Sequence, residues 1–297
     1  MLSLAVYPSS RLVSQDSTID KGVRIGITYR PGVRPGLVVL PTVPGALDSV
    51  HAIVGRDLDF SDRYEVITLP GGDSLDPGPS AVAKGHTTAK SVAGLNYSLY
   101  QALGADFAVQ FRMTGDSVLL LLHDVAAGAV RRTFSARLPA PGDPAYRMVI
   151  HRLADQVVQA SLGAPGTSAT RILFVKDKHV WSVDQDGANL HLVSSATKEA
   201  LSPAWSQDGR KIAYMEDGHI FTMHADGSHQ TQLTFGQAFD FGTAWSPDGR
   251  QIAFLRNFGN GYRPVFVMNA DGSNQHQLTS GTPRQFVPGW QPLGGGD

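Results

Sequence analysis

The chain has 297 residues, 42% of them hydrophobic and 17% charged, a composition able to bury a core and ordinary for a soluble globular protein. Lys and Arg total 25 against 26 Asp and Glu, and neither half carries the basic excess of a nucleic-acid binder, so that partner class is set aside. There is no cysteine, which removes disulfides, thiolate catalysis and Cys-ligated zinc together.

Residues 1–22, beginning "MLSLAVYPSSRLVSQDST", lack a basic leader, and their short apolar run is broken at Pro8. They read either as a disordered tail or as the remnant of a signal peptide whose start was assigned too late. No stretch approaches the roughly 18 apolar residues of a membrane span. "SVLLLLHDV" at 117–125 has the length of a buried strand.

From residue 23 to 162 the pattern is mixed. "GLVVLP" (36–41) is an apolar strand closed by proline, and Leu47, Val50, Ile53, Val54 and Leu58 then follow helical spacing. "YEVITL" (64–69) alternates like a strand, and 70–90, rich in Gly and Pro, reads as a long loop. "NYSLYQALGA" predicts a second helix ending at Gly104. "DFAVQFRM", "SVLLLLHDV" and "VRRTFSARL" predict an antiparallel meander joined by Gly-containing turns. A last helix starts with Asp143 as N-cap and Pro144 in its first turn, and buries Ile150, Leu153, Ala154, Val157 and Val158. The expected unit is a small α/β sandwich, followed by a Gly/Pro/Ser/Thr linker at 163–170.

From 171 to 297 helical spacing disappears and a repeat takes over. "AWSQDGRKIAY" (204–214) recurs forty positions later as "AWSPDGRQIAF" (244–254). Trp205, Trp245 and Trp290 are spaced 40 and 45 apart, as are the Asp-Gly pairs at Asp186, Asp226 and Asp271, the longer interval containing an added "FGNGY". In the first kind of turn Pro247 presets φ and Gly249 supplies the left-handed residue; Asp208 and Gly209 match Asp248 and Gly249. In the second kind, Asp226–Gly227 and Asp271–Gly272, both residues tolerate the positive φ of a tight hairpin. Four short strands in about forty residues is the period of a propeller blade. The fold class expected is therefore an α/β amino-terminal domain followed by an all-β propeller-type repeat domain. It would hold about three four-stranded blades, in an incomplete ring or one closed in some further way.

The phrase "AWSPDGRQIAF…VFVMNADGSNQHQLT" resembles the WD40-like repeats of the TolB family. "VRIGITYRPGVRPGLVVLP" (23–41), "DSVHAIVGRDLDFSDRYEVI" and "LYQALGADFAVQFRM" resemble the amino-terminal domain of the same family. The resemblance implies a non-enzymatic periplasmic component of the Tol-Pal envelope system, without a cofactor, a metal or a transmembrane segment. It also implies two partners. The family's propeller docks the peptidoglycan-associated lipoprotein Pal, and a segment at its mature amino terminus contacts TolA. The matching residues here are Val23, Arg24, Ile25, Gly26, Ile27 and Thr28, which read equally well as an edge strand. Family propellers have six blades, so three are missing, and the phase of the last strand points to an internal loss. Two closures suggest themselves: "FVPGWQP" completes the chain's own first blade, or two chains pair as a homodimer to complete a six-bladed ring.

Other candidate sites are weak. His219, His224 and His229 are five apart, so neighbours face opposite sides of an extended segment, and they read as surface or blade-edge residues. Asp184, His224 and Asn269 share a blade position and either cap hairpins or line a channel. Glu216 and Asp217 precede Gly218 in a hairpin and are expected to face solvent. There is no G-x-S-x-G elbow, P-loop or H-E-x-x-H. A propeller that binds a small ligand or glycan is the alternative reading.

Overall fold

A computed structural model describes residues 34–42, 44–67, 69, 95–259, 261–280 and 285–292. The segment Val23–Thr28 and the loop at 70–90 lie outside the described residues. The described ones all belong to one compact unit, Arg34–Asp297.

The first part is a five-stranded sheet in the order β2-β1-β3-β4-β5. Its strands are β1 (Gly36–Val39), β2 (Glu65–Ile67), β3 (Ala105–Thr114), β4 (Ser117–Asp124) and β5 (Ala129–Arg137). β1 pairs in parallel with β2 and β3, while β3, β4 and β5 form the expected antiparallel meander. Helices α1 (Asp48–Phe60) and α3 (Ala145–Leu162) bury Val50, Val54, Leu58, Ile150, Leu153 and Val157 against one sheet face, among Leu37, Val109, Leu120 and Leu122. The short helix α2 (Tyr97–Ala102) covers the other face, placing Tyr100 beside Val38 and Ala108. α3 begins one residue later than the capping pattern suggests, because Pro144 itself is the boundary residue. Asp143 still acts there, its carboxylate accepting the Ala145 amide at 2.7 Å.

The second part is three stacked antiparallel sheets. The first has three strands, β6 (Arg171–Lys176), β7 (His179–Asp184) and β8 (His191–Leu192). The second has four: β9 (Ala200–Trp205), β10 (Lys211–Glu216), β11 (His219–His224) and β12 (Thr231–Gln232). The third also has four: β13 (Phe239–Trp245), β14 (Gln251–Asn257), β15 (Val265–Asn269) and β16 (His276–Gln277). Alternation sends Ile212, Tyr214 and Met223 toward Val180 and Val193 of the first sheet. Ala213, Met215 and Ile220 point the other way, toward Trp245, Phe254 and Met268 of the third.

Both kinds of turn repeat atom for atom. Ser206 Oγ donates to Asp208 at 2.6 Å and accepts the Lys211 amide at 2.9 Å; Ser246 does the same with Asp248 and Gln251 at the same distances. Gly209 and Gly249 take φ of 67° and 69°, as turn chemistry requires. The Asp-Gly turns differ from expectation. Only the glycine has positive φ, the aspartate does not, and the second left-handed residue is Asn189, His229 or Asn274. Each is a three-residue loop ending in a left-handed glycine, and the following residue closes the hairpin, as His224 N–H to Ser228 O shows at 2.8 Å. Glycine is needed for a second reason. A Cβ on Gly227 would lie 2.4 Å from Val193 O, and one on Gly272 3.0 Å from Leu233 O, so these turns abut the preceding blade.

Two further expectations are corrected. Residues 285–292 form no strand and do not complete the first sheet; the Trp290 indole donates to Ala244 O of β13 at 3.1 Å, on the third sheet. The tail continues the stack instead of closing it. Glu216 does not face solvent but is 2% exposed, because it ends a central strand and receives Lys198 Nζ at 2.8 Å; Asp217 beside it is exposed.

Trp245 is buried between the second and third sheets. Trp245→Ala should cost about 3–5 kcal/mol of stability by cavity creation. Denaturant unfolding measures this, and an unchanged midpoint would contradict the packing described.

Candidate functional site

The densest polar cluster among the described residues lies where the helix pair meets the first blade. α3 carries Arg147, His151 and Asp155 at four-residue intervals, which sets them on one side of the helix. α1 brings Arg56 and Asp57 to the same place, and the first Asp-Gly turn brings Asp184 and Asp186. His151 is fully buried, with Nδ1 2.6 Å from Asp57 Oδ2 and Nε2 3.5 Å from Asp186 Oδ2. Both Arg56 and Arg147 donate to the same Asp186 oxygen. Asp184, also fully buried, accepts Arg171 Nε at 3.0 Å and Asn189 Nδ2 at 2.6 Å. One turn further along α3, Asp155 accepts the amides of Ser168 and Ala169 at 2.8 and 2.9 Å, tying the linker to the helix.

Ligand atoms of His151, Asp184 and Asp186 lie within 4.8 Å of one another, close enough to suggest a metal centre. The charges argue otherwise. Arg56 and Arg147 pair with Asp186, Arg171 with Asp184 and His151 with Asp57, so each carboxylate already has a partner within the cluster. The chemistry on offer is electrostatic attachment of the blades to the α/β part, holding two surfaces in one orientation. Beside it a cleft of about 570 Å³ opens between α3 and the second blade, lined by Met148, Arg152, Thr170, Arg171, Trp205 and Asp208.

The residues singled out by the repeat have structural places. Trp205 is half-buried, its indole donating to Arg171 O of the preceding sheet at 3.2 Å. The Ser206 hydroxyl and Arg210 amide hold the Asp208 carboxyl below the usual range, and Ser246 and Arg250 do the same for Asp248. Ser228 lowers Asp226 and Ser273 lowers Asp271, in each case by its hydroxyl and its amide. Pro247, Gly249, Gly227 and Gly272 shape turns. Asp184, His224 and Asn269 each accept the turn glycine's amide, at 2.8, 2.9 and 2.9 Å, so they open hairpins. His224 stacks on His229 with centroids 4.3 Å apart, His229 occupying the turn position of Asn189 and Asn274. The buried junction was missed in the sequence, although the four-residue polar stripe on α3 was there to be read.

An α/β sandwich joined by an ionic cluster to three stacked antiparallel sheets defines a β-propeller-type repeat protein with an α/β part before its blades. Residues 159–294 match the family model described as PD40, the TolB beta propeller domain. "Tol-Pal system protein TolB" of Methylococcus capsulatus is 32% identical over 193 residues, covering 61% of this chain and 42% of that protein. The protein of the same name from Anaeromyxobacter dehalogenans is 29% identical over 225 residues, covering 71% and 47%. The chain thus spans less than half the length of the curated relatives it matches. TolB from Acinetobacter baumannii shares the fold, with TM-score 0.63 and 24% identity over 84% of this chain and 61% of that one. The chain is related to the TolB proteins through a stretch longer than its blades alone. No helix among the described residues is long and apolar enough to cross a membrane.

Burial alone would raise the Asp186 carboxyl, but the Ala188 amide, the Arg147 guanidinium and nearby His151 outweigh it and hold the group below its ordinary value. A carboxyl lowered in this way stabilises the fold above its unfolded pKa, and that gain is lost as pH falls through the folded value. Asp186→Asn should therefore lower the melting temperature at neutral pH. The gap to the parent should close below about pH 4, in a thermal unfolding series across pH.

Proposed function

We propose that the chain is a non-enzymatic scaffold of the Tol-Pal cell-envelope system, acting in the periplasm to support outer-membrane integrity and cell division. The observation that carries this reading is the match to curated proteins of that name, in a chain that joins an α/β sandwich to PD40 blades. The blades offer their loop-bearing surface to a Pal-type peptidoglycan-associated lipoprotein. The segment Val23, Arg24, Ile25, Gly26, Ile27 and Thr28 recruits a TolA-like protein. The ionic junction around His151 serves both by keeping blades and sandwich in one orientation. For the alternative, a propeller that takes a small ligand or glycan, the cleft between α3 and Trp205 is a candidate place to act, and a glycan array tests it.

The immobilised full-length chain should retain a Pal-type lipoprotein and a TolA-like protein. Deleting residues 1–28 should abolish the second interaction and leave the first. Retention of neither partner by the full-length chain, or undiminished TolA-like binding after the deletion, would reject the corresponding assignment.

A further inference from the structure

Among the described residues the first sheet has one strand fewer than the second and third. β6, β7 and β8 hold the places that β10, β11 and β12 hold in the second sheet, so β6 has no neighbour on its outer side among the described residues. The sequence of the missing strand exists elsewhere in the chain. Residues 285–292, "QFVPGWQP", align without a gap with "ALSPAWSQ" at 200–207 and "DFGTAWSP" at 240–247, the segments that contain β9 and the Trp245 end of β13. Yet this segment forms no strand, and its Trp290 is bonded to Ala244 of the third sheet.

The two complete sheets set a common register. Trp205 lies opposite Ile212, Leu201 opposite Met215 and Ala200 opposite Glu216. Trp245 lies opposite Ile252, Phe241 opposite Leu255 and Asp240 opposite Arg256. Carried over to β6, the same register sets Trp290 against Ile172, Phe286 against Val175 and Gln285 against Lys176. The apolar residues it brings together are those left uncovered: Ile172 is 51% exposed, Val175 40% and Phe286 79%. Their counterparts Ile212, Met215, Ile252 and Leu255 are all buried.

We infer that residues 285–292 of one chain form the missing first strand of the first sheet in a second copy, and that the exchange is reciprocal. A chain's own tail is committed elsewhere. The first sheet packs on one face of the second and the third on the other, and the tail is fixed on the third. Donor segment and acceptor edge reside in the same sequence, so the partner carrying both is another copy of this chain. Exchange satisfies the exposed backbone edge of β6 and buries apolar side chains on both faces of the completed sheet. It also gives each third sheet an outer neighbour, with a two-fold axis relating two three-sheet arcs. The inference does not depend on the Tol-Pal reading.

The absence of cysteine makes a direct test available. Single variants Val175→Cys and Phe286→Cys are mixed as full-length chains and oxidised, so that only a contact between copies can join them. The expected result is a disulfide-linked dimer, while Leu173→Cys mixed with Phe286→Cys, out of register, stays unlinked. By light scattering the parent should have twice the 31.8 kDa chain mass. Phe286→Asp, at an exposed position that leaves the monomer's core untouched, should return it to a single chain mass. A parent that is monomeric across micromolar concentrations would overturn the inference. So would a dimer that survives Phe286→Asp or fails to cross-link Val175 to Phe286.

Discussion

Each blade of this protein is apolar on both faces, and that single constraint organises the second half of the chain. A sheet with Ile212 and Tyr214 on one side and Ala213 and Met215 on the other is stable only with a neighbour on each side. The first sheet covers one face of the second and the third covers the other, so the middle blade is the best buried. The tail with Trp290 extends the stack on the third sheet, while the first keeps Ile172 and Val175 in contact with solvent. The burial that makes a blade stable also makes an unfinished row of blades reactive toward anything that can finish it.

Polar groups set the spacing of this apolar stack. The Ser–Asp turns fix the first hairpin of the second and third blades with the same distances, and the Asp-Gly turns bring a bare Cα against the preceding blade. Gly227 and Gly272 therefore work at two levels: they close a hairpin, and they admit the neighbour's carbonyl at a distance that a side chain would forbid. Local turn chemistry and packing between blades select the same residue, which is why the repeat keeps it.

The junction with the α/β part follows another rule. There the contact is ionic, with three carboxylates, three guanidinium groups and a buried histidine drawn from two helices, a strand start and a turn. Buried ion pairs add little net stability, but they are intolerant of misplacement, since moving one group strands the charge of another. An interface built this way favours one orientation of sandwich and blades over many of similar apolar area. That suits a protein whose proposed task is to present surfaces to partners.

The sequence by itself determined whatever depends on neighbours a few residues away. Alternation marked the strands, helical spacing marked α1 and α3, and the Trp and Asp-Gly intervals of 40 and 45 marked the blades. Turn glycines were legible because φ is a property of one residue, though which residue of each Asp-Gly loop turns left-handed depended on the loop's length. Tertiary structure decided the rest. Glu216 looked like a hairpin acid, but the strand it ends is central and Lys198 reaches it from another segment. His151 finds Asp57 across 94 positions, and Arg56 finds Asp186 across 130, distances over which residue pattern carries no signal. Trp290 matched the first blade in phase but settled on the third sheet, because a strand's sequence fixes its shape and faces, whereas the edge it joins is set by what lies within reach in space.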